Sequence, residues 1–325
     1  MEALKKSLGN KDGKIQILRG LAIISVVIIH TYPVGIFGVF LRPFVNYAVA
    51  LFIFLSGYLT KTDIPSYKTT IFKRVKKVVI PYLLWSVIYM IPQGFENFGL
   101  NLLTGRTCGT FYYVFVYVQF VLLTPLIAKL AKSKYRWIGL FITPLFSIVV
   151  KYILHLSGYA AVGSSYNYWF VAWFIFYYLG MLLGNNIIII KKNNALNIVM
   201  YSVAILLSCC EGFLWYKFGD INMATSQLRL TSIATSLASI VLAYHYIRTD
   251  KKVSRGVIAK VLILLGNTSF GIFLSHILIK NILEVTAVWK YAVFPINAVV
   301  VLGMSAICVL IGKKILRKAS WILGL

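Results

Sequence analysis

Long apolar segments recur along nearly the whole chain, and they restrict its fold more than any other feature. Crossing the hydrocarbon core of a bilayer, roughly 30 Å thick, takes about 17 to 25 helical residues. Of the 325 residues, 60% are hydrophobic and 13% charged, and the mean hydropathy is +0.83, which excludes an ordinary water-soluble domain. Suitable segments lie near residues 15–34, 43–60, 78–95, 110–130, 137–155, 166–185, 195–216, 228–247, 266–284 and 291–312. The sequence therefore predicts an all-α, polytopic membrane bundle of about ten transmembrane helices.

The positive charge follows the predicted membrane topology. The formal net charge is +25, and 26 of the 33 lysines and arginines fall on one side of the predicted membrane. They occupy the N-terminal tail and residues 61–77, 129–136, 191–192, 248–260 and 313–318. Because such residues concentrate on the cytoplasmic side, we expect a bacterial cytoplasmic membrane protein with both termini in the cytoplasm. Its charge then suits membrane lipids, and we expect no nucleic-acid partner.

The chain reads as one membrane domain over residues 1–325. Connections between the apolar segments are short, and the first apolar run is long and has no small-residue cleavage site, so we expect it to be retained as the first helix. The four cysteines show no disulfide or metal-ligand spacing, and we expect no metal.

Two ionisable residues frame the first apolar segment, "RGLAIISVVIIH". Arg19 and His30 are eleven residues apart, which places them on one helix face about 16 Å apart along the axis. A histidine within a membrane span usually faces protein or a water-filled cavity, and a neutral imidazole can accept a proton. His30 is thus a candidate general base, the alternative being a hydrogen-bonded structural histidine.

A basic cluster, "FKRVKKVVIPY", opens the third span. Lys73, Arg74, Lys76 and Lys77 occupy four of five successive positions. Such a cluster can bind anionic lipid headgroups, or it can form a cytoplasmic site for the phosphates of a nucleotide ligand. A ligand held there could extend a flexible arm toward His30.

Weaker signals come from polar residues inside other spans. Ser56 and Tyr58 lie in "LFIFLSGYL", a pattern that suits close helix packing. Gln119 and Glu211 lie within the fourth and seventh spans, where an amide or a carboxylate needs partners. These residues are possible supporting or acceptor-side groups.

The segment "GNTSFGIFLSH" predicts the start of the ninth helix. Asn267, Thr268 or Ser269 could cap free backbone N–H groups after Gly266. His276 would then lie about two turns inside the helix, where it could line the same cavity as His30 or pack as a hydrogen-bonded structural residue.

Taken in order, "LRGLAIISVVIIH", "LFIFLSGYL", the basic run before "IPYLLW" and "SFGIFLSHILI" resemble the acyltransferase-3 family of integral membrane acyltransferases. The resemblance extends over most of the chain. It implies transfer of an acyl group, often acetyl from acetyl-coenzyme A, to hydroxyl groups of bacterial surface glycans. It also implies that His30 is catalytic and that Arg19 supports donor binding or catalysis.

The chain departs from the family pattern at two positions. The family's arginine pair before the third helix falls on Arg74 and Lys77, and the lysine keeps the charge without the planar fork of an arginine. An acidic residue that many relatives place three positions before the first-helix arginine is Gln16 here. The lysine leaves the details of phosphate recognition open, and if the carboxylate matters in relatives, this protein must do without it or use another.

The sequence thus predicts a membrane O-acyltransferase that uses cytoplasmic acyl-coenzyme A, in the first instance acetyl-coenzyme A. Arg19, Lys73, Arg74 and Lys77 would bind the donor, and a hydroxyl of a surface polysaccharide or its lipid-linked precursor would accept the acyl group. His30 would either deprotonate that hydroxyl or receive the acyl group first. Glycan synthesis or export machinery is a possible partner.

Two alternatives are an exporter of a polysaccharide or lipid-linked sugar, although no internal repeat supports it, and a non-catalytic subunit of a glycan synthase.

Overall fold

The computed structural model describes residues 11–63, 66–159, 165–249, 253, 256–287 and 289–325. Regular secondary structure within these ranges is helical throughout, and no strand occurs in them. Parts of the basic N-terminal tail and of the predicted loop 248–260 lie outside the described residues. The predicted all-α polytopic bundle is confirmed.

Eight helical spans in the described part of the chain are long and apolar enough to cross a membrane. In chain order, the helices are α1 (Lys11–Thr31), α2 (Ile36–Val45), α3 (Tyr47–Tyr58), α4 (Tyr67–Met90), α5 (Phe98–Thr104), α6 (Tyr112–Lys132), α7 (Ile142–Leu156), α8 (Phe174–Gly184), α9 (Asn194–Lys217), α10 (Leu230–Arg248), α11 (Val257–Glu284) and α12 (Ile296–Leu316). Helices α2 and α3 form one span, and α5 leads into α6.

The predicted fifth and sixth spans correspond to the shorter helices α7 and α8. Helix α7 contains wide turns over Ile148–Ile153, and α8 follows a short tight-turn segment, Phe170–Trp173. Nearly all of α8 is buried within the protein, and the Thr143 hydroxyl accepts a hydrogen bond from the Ile175 backbone N–H at 3.0 Å. Because protein rather than lipid surrounds α8, irregular backbone next to it still finds hydrogen-bond partners.

The predicted start of the ninth helix at residues 267–269 is wrong. Helix α11 begins ten residues earlier, at Val257, so His276 lies about five turns inside it. The hydroxyls of Thr268 and Ser269 donate to carbonyls of the preceding turn, both at 2.8 Å, instead of capping a helix end. Gly266 lies in the middle of this helix and lets α1 pass very close, since a Cβ on Gly266 would lie 2.0 Å from the Gln16 carbonyl oxygen.

Two helix pairs form the centre of the bundle. Helix α1 packs along α11, and α3 packs along α8. Each pair belongs to a different hydrophobic cluster, one around α3, α8 and α10 and the other around α1 and α11. Helices α9 and α12 are mostly exposed and apolar on their outer faces, as expected for helices that face lipid. We call the region between these two clusters the seam.

Close packing of α3 on α8 depends on Gly57, because a Cβ there would lie 2.0 Å from the Tyr177 carbonyl oxygen. We expect Gly57→Ala to force the helices apart and to destabilise the protein by about 1–3 kcal/mol. The measurement is the thermal unfolding midpoint of purified protein in detergent. Gly303→Ala on α12 is the matched control, since an added Cβ would meet no described atom within 4 Å. An unchanged midpoint for Gly57→Ala would contradict the observed packing.

Candidate functional site

The basic segments contact one another at one end of the bundle, which we call the basic end. Lys132 at the end of α6 pairs with Asp63, and Lys14 on α1 bonds to Thr249 after α10. The guanidinium of Arg248 donates to the Asn186 side chain at 2.9 Å. The opposite end of the bundle is called the far end below.

Arg74 is held in place at the basic end by neutral hydroxyl groups. Its Nη1 donates to Thr60 Oγ1 at 2.9 Å, its Nη2 to Ser56 Oγ at 3.2 Å and its Nε to Tyr117 Oη at 3.4 Å. No described carboxylate forms an ion pair with it. The guanidinium is therefore oriented while its positive charge stays available to an anionic ligand.

A cavity of about 560 Å³ extends inward from the basic end, and we call it the basic-end cavity. Arg19 and Arg74 both line it, so the structure brings together two of the predicted donor-binding residues. Arg19 makes no hydrogen bond to any residue that the structure describes, which leaves its guanidinium free for a ligand. The other lining residues are Val26, Val49, Phe52, Ser56, Leu59, Thr60, Lys61, Thr70, Val78, Tyr113, Tyr117, Ser269, Phe270 and Phe273.

A second cavity, of about 750 Å³, approaches from the far end, and we call it the far-end cavity. His30 lines it from α1. Most of the other lining groups are amides, hydroxyls and charged side chains, which suit a ligand rich in hydroxyl groups. They are contributed by Arg42, Thr110, Tyr112, Lys151, His155, Asn167, Asp220, Asn222, Thr225, Ser226 and Gln227, with Val26, Ile29, Val49, Met223 and Phe273 as apolar lining.

Three side chains line both cavities and divide them. Val26 of α1, Val49 of α3 and Phe273 of α11 form this apolar barrier. Val49 belongs to one hydrophobic cluster and the other two residues to the second, so the barrier lies on the seam between them. Arg19 and His30 stand on opposite sides of the barrier, about three turns apart on the same face of α1.

His276 packs against His30, with ring centroids 5.3 Å apart. The Nδ1 atom of His276 lies 2.8 Å from the Phe273 carbonyl oxygen and 3.1 Å from that of Ile272, so this nitrogen carries a proton. Its Nε2 is buried and has no hydrogen-bond partner among the described residues. A buried nitrogen with a free lone pair thus lies beside the predicted catalytic histidine.

The far-end cavity also contains a histidine–carboxylate contact that the sequence did not single out. His155 Nε2 lies 2.7 Å from Asp220 Oδ2, and Asp220 Oδ1 accepts the Met223 backbone N–H at 2.7 Å. Arg42 donates to the Thr225 carbonyl oxygen at 2.9 Å. These contacts fix the loop before α10 against α2 and α7, and so shape part of the far-end cavity wall.

The remaining predicted site residues have different surroundings. Gln119 donates to the Tyr168 carbonyl oxygen at 2.7 Å and accepts from the Phe170 N–H at 3.1 Å, so it holds the segment before α8. Glu211 accepts from Tyr152 at 2.6 Å and lines neither cavity.

Tyr58 is buried in the core beside Tyr244, and it lines neither cavity. Lys73 is exposed and also lines neither cavity, whereas Lys77 lines a smaller cavity next to Arg74.

Comparison with known proteins gives one result. A family model described as an acyltransferase domain matches residues 12–313. No curated protein and no solved structure matches the chain significantly. The matched range contains every residue that lines the two cavities.

Proposed function

The chain belongs to the acyltransferase-3 family, and from this membership we propose that it transfers an acyl group from cytoplasmic acyl-coenzyme A to a hydroxyl of a surface polysaccharide or its lipid-linked precursor. Acetyl is the acyl group we expect first. The basic end would face the cytoplasm, as the distribution of lysine and arginine favours. Family membership supports an acyltransferase over the exporter and assembly-subunit hypotheses.

The observation that carries this proposal is the pair of cavities that meet at one apolar barrier. The basic-end cavity offers two arginines without carboxylate partners, which suits the phosphates of coenzyme A. The far-end cavity offers His30 among amides and hydroxyls, which suits a sugar. Donor and acceptor would approach from opposite ends, and the thioester at the end of the pantetheine arm would pass Val26, Val49 and Phe273.

In the direct route, both substrates are bound at once. An unprotonated ring nitrogen of His30 takes the proton of the acceptor hydroxyl while its oxygen forms a bond to the thioester carbonyl carbon. The C–S bond then breaks, and the imidazolium returns its proton to the departing sulfur. The products are the O-acyl sugar and free coenzyme A.

His276 would act as a positioning residue in this route. Because the Nδ1–H of neutral His276 donates to helix carbonyls, its Nε2 can only accept a hydrogen bond. A small shift of either ring would let this Nε2 accept a hydrogen bond from an N–H of His30. That contact would leave the other nitrogen of His30 unprotonated and turned toward the acceptor.

Acylation of His30 itself is the second route. There the ring nitrogen attacks the thioester, coenzyme A leaves, and the sugar hydroxyl later removes the acyl group. Incubation with radiolabelled acetyl-coenzyme A in the absence of acceptor separates the routes. Label bound to the protein together with one equivalent of released coenzyme A indicates the acyl-histidine route, and no release indicates direct transfer.

Blocking the barrier tests the proposal. We expect Val49→Phe to leave coenzyme A binding intact and to lower acyl transfer about 100-fold, because a displaced thioester cannot reach His30. Binding is measured by calorimetry, and transfer by label passing from acetyl-coenzyme A into the polysaccharide fraction of membranes. Val49→Ala, which keeps the passage open, is the matched control. Normal transfer by Val49→Phe would show that the donor does not cross this barrier.

A further inference from the structure

A side cavity of about 370 Å³ adjoins the basic-end cavity. The two share Arg74, Val78, Tyr117 and Phe270 as lining residues, so Arg74 lies at their junction. The side cavity is further lined by Lys77, Trp321, Gly324 and Leu325. A ligand held by Arg74 could therefore occupy both cavities at once.

The wall of the side cavity is the segment Arg317–Leu323 and the two residues after it. The Trp85 indole N–H donates to the Leu323 carbonyl oxygen at 3.0 Å and ties this segment to α4. Gly324 has a φ of 72°, and a Cβ there would lie 2.9 Å from the ring of Phe270 on α11. This turn places Trp321 beside α4 in a defined position.

The chemistry of the side cavity combines aromatic rings with positive charge. The Nζ of Lys76 lies 5.7 Å from the centroid of the Trp321 ring, and Lys77 and Arg74 line the cavity itself. No aspartate or glutamate side chain lines it. A flat aromatic ring that carries phosphates matches this combination, because the ring can stack on Trp321 while cations hold the phosphates.

We propose that the side cavity binds the nucleotide end of coenzyme A, with the adenine on Trp321 and the phosphates between Lys77 and Arg74. The pantetheine arm would then turn at Arg74 into the basic-end cavity. This inference rests on the proposed acyl-coenzyme A donor, and it names the part of the donor by which the protein would select it. The protein recognises the nucleotide, so it uses free acyl-coenzyme A in preference to a phosphopantetheine group that lacks adenosine.

The test compares three probes in nanodiscs of phosphatidylcholine: coenzyme A, adenosine 3′,5′-bisphosphate and 4′-phosphopantetheine. For Trp321→Ala we expect binding of the first two probes to weaken about 10-fold, since the stacking contact is lost. Binding of 4′-phosphopantetheine should stay unchanged, and Trp321→Phe should restore most of the affinity. The matched control is Trp137→Ala, which removes an exposed tryptophan that lines none of these three cavities.

The outcomes separate this inference from the proposed function. If wild type binds coenzyme A and Trp321→Ala binds it equally well, the side cavity is not the nucleotide site, while the donor proposal stands. If folded wild type binds no coenzyme A, the donor proposal itself fails. If Trp321→Ala keeps its affinity for coenzyme A but loses bound phosphatidylglycerol from mixed nanodiscs, the cavity holds a lipid headgroup, and the inference is wrong.

Discussion

Replacing His30 with alanine is expected to lower acyl transfer by at least about 100-fold, the usual contribution of a general base. His30 lines the far-end cavity, and the other histidine nearby, His276, is buried behind it with one nitrogen already bonded to helix carbonyls. His155 also lines this cavity, but its Nε2 already lies 2.7 Å from Asp220 Oδ2. Transfer is measured as label passing from radiolabelled acetyl-coenzyme A into the polysaccharide fraction of membranes.

The His30→Ala variant should still bind coenzyme A, because the phosphate site proposed at Arg74 lies on the other side of the barrier. The matched control is His245→Gln, which changes a buried histidine of α10 that lines neither main cavity. We expect transfer by this control to stay close to that of wild type. Substantial transfer by His30→Ala in folded protein would show that His30 is neither the general base nor the acyl acceptor.

Replacing Arg74 with alanine is expected to weaken coenzyme A binding roughly 10- to 100-fold, the range for loss of hydrogen bonds to a charged group. The guanidinium is oriented by Ser56, Thr60 and Tyr117 and has no described carboxylate partner, so its charge is available to phosphate. Arg74→Lys should recover only part of the affinity, because an ammonium cannot make the planar two-pronged contact.

The control for Arg74→Ala is Arg136→Ala. Arg136 lies at the basic end, bonds to the Ser133 carbonyl oxygen at 3.2 Å and lines neither main cavity. Removing it changes the net charge equally, so a loss of binding confined to Arg74→Ala excludes a general electrostatic effect. Equal affinities in both variants and wild type would contradict a phosphate site at Arg74.

Helical spacing was enough to predict the relation between Arg19 and His30, because both lie on one uninterrupted helix with a fixed geometry. The same reasoning failed for α11, where residues that commonly cap helices lie in mid-helix. Gly266 is not a helix boundary but the place where α11 approaches Gln16 of α1, about 250 residues away in sequence. The pattern of residues around Gly266 in sequence carries no information about a contact with a distant helix.

The two cavities could not be predicted from the sequence for a similar reason. Three helices each supply one residue of the barrier, and every one of those residues is an ordinary apolar side chain in sequence. The hydroxyl partners of Arg74 are equally ordinary. Arg42, however, had a detectable signal, since it is a lone cation within an apolar segment, and such residues commonly face a polar cavity.

The barrier of Val26, Val49 and Phe273 also bears on the electrical insulation of the membrane. Two polar cavities that joined end to end would form a water-filled channel, through which ions and protons could leak and dissipate the membrane potential. A narrow apolar constriction excludes water and so stops ion conduction even where a slender chain can still pass. If donor and acceptor enter from opposite ends as proposed, this barrier is what would keep the two cavities from forming an ion leak.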